Sequence, residues 1–128
     1  MGLENGIVLE MNTNIKYQPW FCDLELDRID IENNNYIYDA GFWCGEYDLR
    51  RKILDLVHAN PNEGSGEYVL NSTEVLKLIN LLTREIMYSN KCGSKCMIWD
   101  VIDNLYWVYE YMSKRPQDII RCYFYDSW

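Results

Sequence analysis

Asp23, Glu25 and Asp27 occupy alternate positions, a spacing that on a strand sets carboxylates about 7 Å apart on one face. Asp30 and Glu32 extend the run. Carboxylates in a row can hold a hard cation. A calcium loop begun at Asp23, however, needs glycine where Arg28 stands and a bidentate glutamate where Asn34 stands. The plain reading is a solvated sheet face. The sharper reading is an acidic surface that enters a groove built for phosphates, whose Lys and Arg side chains meet a similar charge.

The other groups capable of chemistry are few. Cys92 and Cys96 have three residues between them, and a tetrahedral zinc site would need a second pair, such as Cys22 and Cys44, from far along the chain. They read as free thiols in a loop, with Lys91 and Lys95 near enough to favour the thiolate. His58 is the single histidine, so any Cys–His or Ser–His nucleophile pair would have to use it. Its expected place at a helix C-terminus makes it a surface residue favoured by the dipole. Neither a Gly-x-Ser-x-Gly elbow nor a phosphate loop nor a dinucleotide fingerprint is present. The expectation is a chain without catalytic residues, metal or cofactor.

Aromatic side chains are abundant: five Trp, 11 Tyr and three Phe. Trp99, Tyr106, Trp107 and Tyr109 fall on more than one side of a single helical stretch. Surplus Tyr and Trp with little Lys is the composition of a binding patch. The alternative is that a sheet covers one side of that helix and the tail, Tyr123 to Trp128, covers the other. Trp43, Trp99 and Trp107, with Arg50 and Arg51, form the candidate aromatic and basic binding set. Aromatics that stack on a base, with Arg50, Arg51 or Arg121 meeting a phosphate, would make a nucleotide pocket.

The elements that must position these groups follow from periodicity. Gly6–Met11 is a short branched strand, and Asn12–Asn14 supplies turn chemistry. From Phe21 to Glu32 apolar and acidic residues alternate until the phase slips at Arg28, where a bulge or a turn restores one apolar face. Asn33–Asn35 is a turn, and Tyr36–Trp43 a further strand. Gly45–Ala59 has helical spacing, with Leu49, Ile53, Leu56 and Val57 on one face, and Asn60-Pro61 ends it. Glu67–Leu70 is a short edge strand or the lead into a helix. Asn71 and Glu74 form a capping box ahead of a helix running to about Tyr88. A third helix spans about Met97 to Met112, and Ile119–Trp128 is a final strand. The expected fold is a single α+β domain, residues 1–128, with a mostly antiparallel sheet and about three helices on one face.

Bulk composition agrees. A chain of 128 residues fits one domain and buries enough surface to need no disulfide or metal. Its formal net charge is −8. Eight carboxylates and one base, Arg28, lie between Cys22 and Asp48. Such a field repels nucleic acid at long range, so direct nucleic-acid binding is not expected. No apolar run is long enough to span a membrane. With no basic, apolar leader between Met1 and Met11 and with five cysteines, the expectation is a cytoplasmic chain.

Three stretches resemble a known group. Met1-Gly2-Leu3-Glu4-Asn5-Gly6-Ile7 resembles the Met-Gly-Leu-Asp-Asn-Gly-Ile opening of a family of small phage and prophage-borne proteins. Phe42-Trp43 leading into a helix resembles that family's aromatic-Trp-Arg-Lys segment, with Cys44-Gly45 standing where the family has Arg-Lys. Phe124-Tyr125-Asp126-Ser127-Trp128 resembles its aromatic Ser-Trp terminus. The resemblance runs loosely over the whole chain and implies a phage or mobile-element accessory protein in the cytoplasm of a bacterial host. It supplies no mechanism.

Together these features point first to a non-catalytic interaction protein that binds and inhibits a host or defence protein through an acidic, aromatic surface. A protein sequestering a nucleotide or other small ligand is the second reading. A small hydrolase using a carboxylate and an arginine, such as Asp39 and Arg50, is the third.

Overall fold

The computed structural model describes residues 3–14, 24–58, 66–88 and 95–127. Five strands form one antiparallel sheet: β1 (Glu4–Met11), β2 (Glu25–Asp30), β3 (Asn35–Cys44), β4 (Gly66–Leu70) and β5 (Ile119–Ser127). Their order is β2-β3-β1-β5-β4. Among the described residues three α-helices accompany them: α1 (Tyr47–Leu56), α2 (Ser72–Tyr88) and α3 (Lys95–Lys114). The α+β architecture expected from the sequence is the one observed, and the sheet is wholly antiparallel.

Alternation decides which face of the sheet meets the helices. Ile7, Leu9 and Met11 of β1, Tyr38 and Ala40 of β3, and Cys122 and Phe124 of β5 join the core with Leu49, Ile53 and Leu54 of α1. The same core takes Val75, Leu78, Ile79 and Leu82 from α2 and Ile98, Val101, Ile102, Leu105 and Val108 from α3. An aromatic row crosses it: Trp43 and Phe124 have ring centroids 6.0 Å apart, and Phe124 and Tyr68 6.1 Å apart.

The turns follow local chemistry. Asn34 adopts the left-handed conformation at the β2–β3 turn, which an asparagine tolerates well. Asn71 and Glu74 exchange hydrogen bonds of 2.9 and 2.8 Å at the start of α2, completing the expected capping box. The first helix is shorter than Gly45–Ala59. Gly45 and Glu46 both take positive φ as the chain leaves β3, so regular helix begins only at Tyr47. The amide of Gly45 donates to the Leu3 carbonyl at 2.8 Å, and the Asn5 side chain donates to the Gly45 carbonyl at 2.9 Å. At the other end His58 has φ 58°, past the last helical turn and exposed. The Asn60-Pro61 stop lies outside the described residues.

The phase slip at Arg28 is a register shift in β2. Leu26 pairs with Tyr38 and Arg28 with Ile37, which leaves Asp27 as the extra residue. Glu67–Leu70 resolves as an edge strand, β4, against β5. β5 itself lies between β1 and β4.

Candidate functional site: the open face of the sheet

All three helices pack on one side of the sheet. On the opposite side β1 presents Glu4, Gly6, Val8 and Glu10, and β5 presents Arg121, Tyr123 and Tyr125. β3 adds Ile37 and Asp39, β2 adds Glu25 and Arg28, and β4 adds Glu67 and Val69. These side chains surround a hollow of about 490 Å³, whose lining includes Val8, Asp27, Arg28, Asp39, Tyr123 and Tyr125. A second hollow, about 260 Å³, opens where β3 meets α3 and is bordered by Glu25, Asp39, Phe42 and Asp100. Asp39 borders both.

The charges here respond to one another. Asp39 is exposed, yet the strands around it partly desolvate its carboxyl and push it above the usual aspartate range; the Gly41 amide opposes that, and the nearby Asp27 and Glu25 add to it. The Gly41 amide donates to Asp39 Oδ1 at 3.0 Å. Tyr123 and Tyr125 are both raised, chiefly by burial and then by neighbouring carboxylates. Arg121 lies over the Tyr123 ring, 4.1 Å from its centroid. It donates to Glu10 at 3.0 Å and to Glu67 at 3.2 Å. The hydrogen bond to Glu10, more than any other contact, holds its proton tightly.

The acidic candidates separate. Glu25 and Asp27 lie at the open face, but the bulge breaks their even alternation: Asp27 lines the larger hollow and Glu25 the smaller. Asp30 belongs to the β2–β3 turn, where the Asn33 side chain donates to it at 2.8 Å and holds its carboxyl below the usual range. Glu32 is exposed in that turn. Asp23 lies outside the described residues.

The aromatic and basic candidates do not come together either. Trp43 is fully buried. Arg50 is buried on the helix side, where its Nε donates to Asp126 at 2.6 Å. Arg51 is exposed on α1. Trp99 and Trp107 lie on the outer side of α3, 49 % and 36 % exposed. Residues 123–127 do not cover them, because they belong to β5 within the sheet. Of the cysteines, Cys44 is exposed and Cys122 buried, and burial pushes the Cys122 thiol up to about 12. Cys22 and Cys92 lie outside the described residues. Among the described residues, no three His, Cys, Asp or Glu side chains gather to hold a metal ion, and no helix is long and apolar enough to cross a membrane.

Sequence reasoning missed two features. The sequence places Tyr123 and Tyr125 on a final strand or over α3, and their alternation with Cys122, Phe124 and Asp126 sets the two on one face without telling which face is open. Asp126 gave no signal, because its partner Arg50 is 76 residues away.

No known protein family, curated protein or solved structure matches the chain.

Proposed function

We propose that this chain is a non-catalytic binding protein that holds a partner protein on the open face of its sheet. One observation carries the reading: five strands leave a face without a described helix, and that face gathers carboxylates and tyrosines around a hollow of about 490 Å³. Tyrosine offers large, stiff contact area with a polar tip, and clustered carboxylates steer an oppositely charged partner. With the resemblance noted above, the partner is a host or defence protein in a bacterial cell, and the chain inhibits it by occupying its surface.

The other two readings have less support. A nucleotide would bring its phosphates to a face rich in carboxylates, while Arg121 is engaged by Glu10 and Glu67. A hydrolase pairing Asp39 with Arg50 would need them to meet, yet Asp39 is on the open face and Arg50 is on the helix side against Asp126.

The test is capture from a bacterial host lysate by three tagged forms: the natural chain, Glu25→Lys/Asp27→Lys, and Trp99→Ala/Trp107→Ala. The expected result is a discrete partner that the α3 variant retains and the charge-reversed variant releases, with binding falling steeply as salt rises. A partner lost only with the α3 variant would move the interface to that helix and end this reading.

A further inference from the structure

The open face has two halves that differ in charge. Around Tyr123 the carboxylates have a cation: Arg121 stacks on the ring and its nitrogens reach Glu10 and Glu67. Tyr123 is only 5 % exposed. A guanidinium flat on a tyrosine and forked between carboxylates is the arrangement by which arginine is held.

Two residues along β5, on the same face, Tyr125 repeats the ring. It lies against Gly6 of β1, so closely that a Cβ there would come within 2.3 Å of the ring. The side chains that bear most on Tyr125 are Asp39, Glu4, Tyr123 and Asp27, and none of these is a cation. Among the described residues no Lys or Arg forms an ion pair with any of the three carboxylates. Arg28 borders the same hollow, but it bears on Tyr123 and Asp30. The upward displacement of both Asp39 and Tyr125, set mainly by desolvation and increased by nearby carboxylates, is in the direction that an arriving cation reverses.

We propose that Tyr125, Asp39 and Asp27 form the seat for an arginine side chain of the partner protein, its guanidinium stacked on the Tyr125 ring and donating to the two carboxylates. The inference rests on the open face being the partner surface. Charge complementarity selects this occupant. Nucleic acid and anionic lipid carry the wrong sign, and a second copy presenting the same acidic face repels the first. Lysine has a compact, strongly hydrated head that neither stacks nor forks in this way.

The experiment is an amide-resolved NMR titration of the full chain with tri-arginine and, separately, with tri-lysine. Tri-arginine is expected to shift the amides of Gly6, Asp39, Gly41 and Tyr125 saturably and to bind about threefold or more tighter than tri-lysine. Tyr125→Phe keeps the ring and stays within about twofold of the natural chain, whereas Tyr125→Ala weakens tri-arginine about fivefold. Asp39→Asn removes only a charge and also weakens it, which serves as the decisive variant if Tyr125→Ala does not fold. Shifts centred on the α3 carboxylates Asp100 and Asp103, or equal binding of both peptides unaffected by Asp39→Asn, overturn the proposal. If tri-arginine finds no seat at Tyr125 while the captured partner still depends on Glu25 and Asp27, the arginine seat falls and the partner surface stands. A captured partner indifferent to those two residues sinks both.

Discussion

Arg50 and Asp126 form a buried charge pair at the helix side of the sheet, where a mistake in pairing is costly. Their side chains are 6 % and 0 % exposed. Asp126 also accepts the Gly66 amide at 2.8 Å, so one carboxylate secures α1 and the first residue of β4 to β5. Asp126→Ala takes the paired carboxylate from a buried guanidinium and leaves that amide without its acceptor. The expected loss is about 3–5 kcal/mol, measured by urea unfolding, and an Arg50→Met/Asp126→Leu double variant recovers much of it, because both buried charges have gone. Asp39 presents the opposite case. Its carboxyl is raised in the folded chain, so between the ordinary aspartate pKa and the raised one the folded state binds more protons than the unfolded. Stability therefore falls as pH rises through that window. Asp39→Asn keeps an oxygen for the Gly41 amide and removes the charge. It is expected to melt higher than the natural chain at pH 7, with the advantage vanishing as pH falls below the ordinary aspartate range. A melting difference independent of pH would contradict this assignment.

Between elements, β3 approaches α3 closely at Gly41. Gly41 follows the β3 register shift at Ile7/Val8, and a Cβ on it would lie 2.6 Å from Val101 Cγ2. Gly41→Ala is expected to cost about 1–3 kcal/mol by overpacking. Val101→Ala added to it should restore part of that loss, a coupling that a double-mutant cycle reads directly. The sequence made some of this level legible. The phase slip at Arg28 announced the β2 bulge, and Asn71 with Glu74 announced the cap of α2, because both are governed by residues a few positions apart. Helical spacing in α1 correctly marked Leu49 and Ile53 as core. It did not mark Arg50, which is buried only because Asp126 waits across the fold. The open face was illegible for the same reason. Alternation shows that β5 has two faces, but only strand order and helix placement decide that Tyr123 and Tyr125 share the uncovered one with Asp27 and Asp39.

At the scale of the whole molecule, the strand order makes β5 an interior member of the sheet. β5 pairs with β1 along Glu4–Met11 and with β4 along Gly66–Leu70. It supplies Phe124 to the aromatic row between Trp43 and Tyr68, and Asp126 to the buried pair with Arg50. It also sets both outward tyrosines on the open face. Removal of residues 123–128 would cut the pairing of β1 with β5 back to Leu9–Met11, release β4 from nearly all of its pairing, and take the Asp126 carboxylate from Arg50. Native stability is only about 5–15 kcal/mol for a domain of ordinary size, and loss of the buried charge pair alone accounts for about 3–5 kcal/mol of that. The truncated chain is therefore expected to show no cooperative thermal transition by circular dichroism, and to bind no partner under conditions where the natural chain does. A cooperative melt at the temperature of the intact protein would mean that the sheet holds without the second half of β5, and the positioning of the open face by β5 would then be wrong.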